Sequence, residues 1–311
     1  EHRDNSTTAL PLSLSVTGTG DIALGQTNGR LQLLSGGTAD GGLSLSSFRG
    51  IELATSEVLS VAGAAALSVT GSGNALTLNG SLFADGVTLS AEGSVTQAAA
   101  GVLARRAADG GANLTADLPL TVTVTGNNRT INLAGNNGRL QVLGATTEDG
   151  SIALRARSMT IAGAVTADEN GGGRSDAAFT AYLGDLAING SVTARNLTVI
   201  AAGDVTQTVA LDLGGTGGGR LRVRGPGGGP ATAAGSITLT EANAVTEFDA
   251  RATGALAFTA AGDLTVTQAR GDGVTLVGGA LSVPTGTAGQ SGVVGTGTGD
   301  VAITADSLTV P

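Results

Sequence analysis

The chain has 311 residues, of which 52 are Gly; it contains no Cys, no Trp and no Lys, and Arg supplies all 16 basic residues. A formal net charge of −9 disfavours nucleic acid as a partner, and the lack of cysteine excludes disulfides and cysteine-ligated metal. Hydrophobic residues make up 41% of the chain, which argues against disorder, and no apolar run reaches the roughly 20 residues of a membrane span.

Short segments of alternating apolar and polar residues follow one another from about residue 12 onward. The first is Leu12-Ser-Leu-Ser-Val16, and the pattern recurs at Leu31-Gln-Leu33, Leu43-Ser-Leu45, Leu76-Thr-Leu78, Val122-Thr-Val124, Ile237-Thr-Leu239 and Val301-Ala-Ile303. A period of two is typical of a strand with one buried face. Gly, Asn, Asp and Ser separate the segments, and helical spacing is nearly absent. The sequence therefore predicts an all-β protein.

An internal repeat joins these segments into a larger unit. Residues 15–45 align with residues 123–154 once a single residue is inserted, and the two stretches lie about 109 positions apart. A partial third copy is recognisable at Gly219-Arg-Leu-Arg-Val223, which matches Gly29-Arg-Leu-Gln-Leu33 and Gly138-Arg-Leu-Gln-Val142. Self-similarity over such distances indicates duplication of a structural unit.

The composition discriminates between the all-β repeat folds. Propellers and immunoglobulin-like arrays rely on core aromatics, whereas aromatic residues are only 2% of this chain. A right-handed parallel β-helix needs none, because small aliphatic side chains stack on their counterparts in the adjacent turns. We therefore predict a tail at 1–11 and a continuous β-helical solenoid at 12–311. The solenoid is expected to have about 15 turns of roughly 20 residues, in copies at about 15–122 and 123–232 and a partial copy at about 219–311.

Two glycine-rich stretches, at 168–176 and 214–235, interrupt the pattern and are predicted to be loop insertions that project from the solenoid. The first carries Asp168, Glu169 and Asp176, which form a weak candidate site for calcium, although the repeated calcium-binding nonapeptide is absent. Arg270-Gly271-Asp272 is the tripeptide that integrins recognise and is a possible cell-binding turn, although a chance match is easy in a chain so rich in glycine. No cofactor-binding motif is found.

Several strings resemble the repeat region of filamentous-haemagglutinin-like exoproteins, the bacterial adhesins exported by two-partner secretion. The resemblance lies in Asn189-Gly-Ser-Val-Thr-Ala194, Leu197-Thr-Val-Ile-Ala-Ala-Gly-Asp-Val-Thr-Gln207, Gly235-Ser-Ile-Thr-Leu-Thr-Glu-Ala-Asn-Ala-Val245 and Ala260-Ala-Gly-Asp-Leu-Thr-Val266. The resemblance is one of short recurring strings and composition, and it extends over most of residues 12–310. It implies a right-handed parallel β-helix displayed on the cell surface, with a role in adhesion or biofilm formation and no catalytic residues.

Three functions remain open at this point. The preferred one is a secreted adhesin stalk on the bacterial cell surface, whose partner is a host or neighbouring cell surface, a glycan or the matrix. The alternative is a subunit that stacks head to tail on copies of itself in an extracellular filament. A polysaccharide-active enzyme is a remote third, because the carboxylate pairs Glu148-Asp149 and Asp168-Glu169 lie in turn-like sequence without basic or aromatic neighbours for catalysis.

Overall fold

The computed structural model describes residues 9–169, 173–214, 218–229, 232–285 and 292–310. These residues contain no helix, and strands account for 63% of the chain. Apart from two short antiparallel hairpins, the strands pair in parallel and stack as a β-solenoid, which confirms the predicted parallel β-helix. The number of turns is about 12 and not the predicted 15.

The chain divides into two compact units, Glu1–Arg157 and Ser158–Pro311. The strands of the first unit are β1 Ala9–Val16, β2 Ile22–Gln26, β3 Arg30–Thr38, β4 Leu43–Ser47, β5 Ile51–Leu53, β6 Val58–Val61, β7 Ala64–Val69, β8 Leu76–Leu78, β9 Ser81–Ala84, β10 Gly86–Ala91, β11 Val95–Gln97, β12 Leu103–Arg106, β13 Ala112–Asn113, β14 Asp117–Val124, β15 Ile131–Asn137, β16 Arg139–Thr147 and β17 Ile152–Ala156. β1 thus begins inside the segment that the sequence assigns to a tail.

The strands of the second unit are β18 Met159–Glu169, β19 Gly173–Arg174, β20 Ala177–Ala181, β21 Leu186–Ile188, β22 Val192–Ala194, β23 Asn196–Ala201, β24 Val205–Gln207, β25 Leu211–Leu213, β26 Arg220–Arg224, β27 Ile237–Asn243, β28 Glu247–Arg251, β29 Leu256–Ala260, β30 Leu264–Gly271, β31 Val274–Ser282, β32 Gly292–Gly295 and β33 Val301–Thr309. Within it, β20, β23, β26, β28, β30 and β32 pair successively in one parallel ladder.

Aliphatic side chains stack in register inside each unit. In the first unit Leu67 pairs with Leu45 on one side and with Leu89 on the other, and Leu89 pairs in turn with Val122. All four are at most 1% exposed. Burial of such a side chain contributes roughly 1.5–3 kcal/mol, so the period-two pattern of the sequence accounts for the core of the solenoid.

The turns differ in length, which explains why there are fewer of them than predicted. Leu67 and its partner Leu89 are 22 positions apart, but Leu89 and its partner Val122 are 33 apart. The longer turn contains the antiparallel hairpin of β12 and β13. Insertions of this kind lengthen a turn without disturbing the ladder.

Aspartates at the corners bind successive turns to each other. In the second unit Oδ1 of Asp185 accepts the backbone N–H of Asp204 at 2.8 Å, and Oδ1 of Asp204 accepts that of Ser236 at 2.6 Å. In the first unit Oδ2 of Asp149 accepts the N–H of Asn128 at 3.0 Å. The Gly-Asp pairs that separate strands in the sequence therefore satisfy backbone donors where the chain turns.

The segments that the sequence aligns as copies have the same register. β1 pairs with β3 and β14 pairs with β16, each in parallel, and each pairing shifts by one residue, after Leu12 in the first case and after Leu120 in the second. Oγ1 of Thr38 donates to the carbonyl of Gly41 at 2.6 Å. Oγ1 of Thr147 donates to the carbonyl of Gly150 at the same distance. The predicted copy junction at 122/123 lies within β14, whose residues 120–124 pair in parallel with residues 87–91 of β10.

Candidate binding site

The weak calcium candidate is only partly within the described residues. Oδ1 of Asp176 accepts hydrogen bonds from Nε of Arg195 at 3.1 Å and from Nδ2 of Asn196 at 3.0 Å. The side chains of Asp168 and Glu169 lie outside the part of the chain that the structure describes. Among the residues described, no group of three or more His, Cys, Asp or Glu side chains is placed to hold a metal ion. A calcium site at these three carboxylates stays a prediction.

The tripeptide Arg270-Gly271-Asp272 lies at the end of β30 and in the corner that follows it. The backbone N–H of Asp272 donates to the carbonyl of Gly254 at 2.8 Å, and Oδ1 of Asp272 accepts the N–H of Gly299 at 3.2 Å. Arg270 pairs in register with Arg251 on β28. Asp272 therefore takes part in the stacking of turns, and Arg270 belongs to a group of arginines. The cell-binding role of the tripeptide stays a prediction.

The arginine of the repeated Gly-Arg-Leu sequence is the first residue of its strand in all three copies. Each forms an ion pair with a carboxylate of a neighbouring strand, namely Arg30 with Glu52 at 2.7 Å, Arg139 with Asp117 at 2.8 Å and Arg220 with Glu247 at 3.2 Å. These pairs are partly exposed and stabilise the fold weakly, by about 0–1 kcal/mol each. The partner lies on the following turn for Arg30 and Arg220 and on the preceding turn for Arg139.

The third copy departs from the other two at the residues that follow. Where the first two copies have Gln32 and Gln141, the third has Arg222, and where they have Leu34 and Leu143, it has Arg224. Strand β26 therefore carries three arginines at alternate positions, 220, 222 and 224. This departure is the signal in the sequence from which the site could have been found.

The three arginines of β26 converge on one carboxylate, that of Asp249 on the adjacent strand β28. Nη2 of Arg220 lies 3.1 Å from Oδ2 of Asp249, and Nε of Arg222 lies 3.3 Å from the same oxygen. Nη2 of Arg224 donates to Oδ1 of Asp249, and its Nη1 donates to the carbonyls of Val223 and Asp249, both at 3.0 Å. Parallel pairing of Arg222 with Asp249 in register brings these groups together.

Asp249 is ionised in this setting. Burial raises the pKa of its carboxyl, since only 5% of the side chain is exposed, but the hydrogen bond and positive charge of Arg224 and the charges of Arg222 and Arg220 outweigh that effect. The net result is a pKa below the usual value for an aspartate. Arg224, with 4% of its side chain exposed, is the buried partner of this pair.

Two further arginines extend the positive charge across the same face. Arg251 on β28 and Arg270 on β30 are register partners. Burial lowers the pKa of Arg251, and the like charges of Arg270 and Arg224 lower it further. In a chain whose net charge is −9, five arginines are thus concentrated on three adjacent strands.

A cavity of about 290 Å³ opens over this group. Its lining consists of Arg220, Arg222, Arg224, Gly228, Asp249, Thr267 and Gln268. Gly228, which belongs to the predicted glycine-rich insertion, lies close to Ile200 of β23, because a Cβ at Gly228 would meet Cδ1 of Ile200 at 2.9 Å. We call this cavity the arginine pocket.

Donors in the arginine pocket remain available to a ligand. Gln268 is 3% exposed as a residue, and its side chain belongs to the lining of the pocket. Arg222 uses Nε towards Asp249, while its two Nη atoms have no acceptor within the described part of the chain. The Nη atoms of Arg222 are therefore placed to donate hydrogen bonds to a molecule bound in the pocket.

A larger depression, of about 460 Å³, lies in the first unit and lacks these features. It is lined chiefly by backbone and small side chains of β1 and β3, with Arg106 at its side. Nε of Arg106 donates to Oγ of Ser60 at 3.0 Å, and that hydroxyl donates to the carbonyl of Gly110 at 2.7 Å. Among the described residues of its lining, Arg106 is the single charged side chain, so the arginine pocket, with three arginines and an aspartate, is the stronger candidate for a binding site.

Comparison with known proteins adds no assignment to this geometry. No protein-family model matches the chain, and neither a curated protein nor a solved structure is similar to it at a significant level. The described residues include no helix long and apolar enough to cross a membrane.

Proposed function

We propose that the chain is a structural and adhesive segment of a secreted protein on the bacterial cell surface, the stalk of an adhesin, without an enzymatic activity. The observation that carries the proposal is the solenoid itself. In each unit aliphatic side chains fill the interior in register, and the ion pairs and corner aspartates join neighbouring turns. Such an architecture provides a long, repetitive surface for contact with partners.

The resemblance of the strings at 189–194, 197–207, 235–245 and 260–266 to filamentous-haemagglutinin-like exoproteins supports secretion and surface display. The partner in this proposal is a host or neighbouring cell, a glycan or the matrix. The arginine pocket supports adhesion more specifically, because its three arginines face two carboxylates, those of Asp249 and Glu247, and so leave positive charge for an acidic partner.

The adhesive function is tested by attachment. Inert beads coated with the chain are allowed to settle on bacterial and animal cells and on immobilised matrix polysaccharides, and the fraction retained under flow is measured. Beads coated with a soluble acidic protein of similar charge are the control. Retention above the control on at least one surface supports the proposal, whereas equal retention on all surfaces contradicts it.

Assembly into a filament is the second candidate, and strand β33 favours it. β33 pairs in parallel with β31, placing Val301 over Val274 and Leu308 over Leu281. Val301 is 47% exposed and Leu308 is 50% exposed, although their partners on β31 are buried. A parallel strand of a second copy would continue this ladder and cover both side chains.

Negative-stain electron microscopy across a concentration series distinguishes the two candidates. Filaments that lengthen with concentration and disappear on Leu308→Arg would establish head-to-tail stacking. Isolated particles at every concentration would exclude it and leave the adhesive segment.

A further inference from the structure

We propose that the arginine pocket of the second unit binds a uronic acid unit of an acidic polysaccharide through its carboxylate. The inference rests on the proposed adhesive function and names the class of partner that this site takes. It draws on four properties of the pocket, which are its charge, its available donors, its size and the chemical character of its lining.

The net positive charge of the pocket favours a ligand with one negative charge. Arg220, Arg222 and Arg224 face two carboxylates, those of Asp249 and Glu247, which leaves one positive charge uncompensated. A ligand with a single charge neutralises it without strong repulsion from Asp249. A phosphate dianion would be held beside that buried carboxylate at a greater electrostatic cost. Arg251 and Arg270, on the same face, attract the charges of neighbouring units in a polymer with one carboxylate per sugar.

The available donors fit a carboxylate and its sugar. The two Nη atoms of Arg222 form a planar fork, which matches the two oxygens of a carboxylate. Arg222 has 41% of its side chain exposed, so the fork is accessible from solvent. The side-chain amide of Gln268, which belongs to the pocket lining, carries donor and acceptor atoms for ring hydroxyls. A bound uronate would therefore give the Nη atoms of Arg222 an acceptor.

The size and lining of the pocket favour a saccharide over a peptide. Its volume of about 290 Å³ is near the lower limit of roughly 300 Å³ for small-molecule pockets, which suits one sugar unit. The lining contains Arg, Gly, Asp, Thr and Gln and no apolar side chain. A sugar presents hydroxyl groups to these polar side chains and C–H groups to the apolar half of the lining surface, a combination that suits this pocket.

Isothermal titration calorimetry of the whole chain with tri-galacturonate tests the inference. We expect binding that weakens with added salt, and no binding of galactotriose, the neutral counterpart. Arg222→Gln restores the residue of the first two copies and should lower the affinity for tri-galacturonate by about tenfold or more. Arg222→Lys, which keeps the charge but loses the planar fork, should lower it by a smaller factor. Arg139→Gln, a change at an ion-paired arginine of the first unit, is the matched control and should leave the affinity unchanged.

Three results would overturn the inference. They are equal affinity for tri-galacturonate and galactotriose, equal effects of the changes at Arg222 and Arg139, and binding of inorganic phosphate or of an Asp/Glu peptide in preference to the uronate. Circular dichroism of each variant verifies that the fold is retained, and Arg222→Lys decides the question if the glutamine variant is unfolded. The titration uses a soluble ligand and no cells, so its failure leaves the bead assay to decide the adhesive function separately.

Discussion

The side-chain amides of Gln97 and Asn137 hydrogen-bond to each other in both directions inside the first unit. Nε2 of Gln97 donates to Oδ1 of Asn137 at 2.7 Å, and Nδ2 of Asn137 donates to Oε1 of Gln97 at 3.1 Å. Oδ1 of Asn137 also accepts the backbone N–H of Leu103 at 2.8 Å. Gln207 and Asn243 form the same pair in the second unit, at 2.7 and 3.2 Å. Each pair fastens two strands to a third at a buried corner.

Asn137→Ala is expected to lower the free energy of unfolding by about 2–3 kcal/mol, because Nε2 of Gln97 and the backbone N–H of Leu103 lose their buried acceptor, while Oε1 of Gln97 keeps the N–H of Gly135. Urea denaturation followed by circular dichroism measures the effect. Asn132→Ala, at an exposed position of the same strand, is the control and should change the stability by less than about 0.5 kcal/mol. Similar losses in the free energy of unfolding for both variants would show that the amide pair contributes little to stability.

Leu67→Ala is expected to destabilise the chain by about 2–5 kcal/mol. Leu67 is 1% exposed and is stacked between Leu45 and Leu89, so the change opens a cavity that reaches two neighbouring turns. Ser68→Ala, on the outward side of the same strand, should be close to neutral. The midpoints of thermal unfolding compare the two variants, and a neutral Leu67→Ala would refute a ladder packed in register.

Gly190→Ala is expected to disrupt a corner of the second unit. A Cβ at Gly190 would lie 2.1 Å from the carbonyl oxygen of Gly163, so the two turns would have to separate. Gly262→Ala is the matched control, since a Cβ there meets nothing within 4 Å. We expect a clear fall in melting temperature for the first variant and almost none for the second. Equal melting temperatures would contradict the close stacking of these corners.

Asp249 is expected to stabilise the second unit in a pH-dependent manner. The arginines lower its pKa in the folded state, so between that pKa and the unfolded value of about 3.9 the unfolded chain binds more protons. The stabilisation is therefore complete above the unfolded pKa and is lost as the pH falls through the lowered folded pKa. Asp249→Asn should melt at a lower temperature than the unchanged chain at pH 7, and the difference should shrink below about pH 4.

The control for this pH dependence is Asn132→Ala, which removes no titrating group and whose melting temperature should stay parallel to that of the unchanged chain. The melting temperatures of Asp249→Asn and the unchanged chain are compared from pH 7 to pH 3. A constant difference between them would contradict the ionised, arginine-bound state of Asp249.

The period-two pattern predicts the strands well because the alternation of buried and exposed side chains in a strand is visible in the residues of that strand alone. Leu76-Thr-Leu78 coincides with β8, and Leu43-Ser-Leu45 lies at the start of β4. The arginine pocket and the amide pairs could not be predicted in this way. Arg222 contacts Asp249, which lies 27 positions later in the sequence. Gln97 contacts Asn137, which lies 40 positions later. Which residues become neighbours depends on the length of each turn, and that length varies with insertions that carry no periodic signal.

The shared register of the β1–β3 and β14–β16 pairings also bears on how such a chain can evolve. A gene segment that encodes a whole number of turns can be gained or lost by recombination, because each new junction presents the same strand edges as the old one. One copy can then preserve the scaffold while another accumulates substitutions. Arg222 and Arg224, which stand where the earlier copies have Gln and Leu, illustrate how a redundant repeat can acquire a specialised surface.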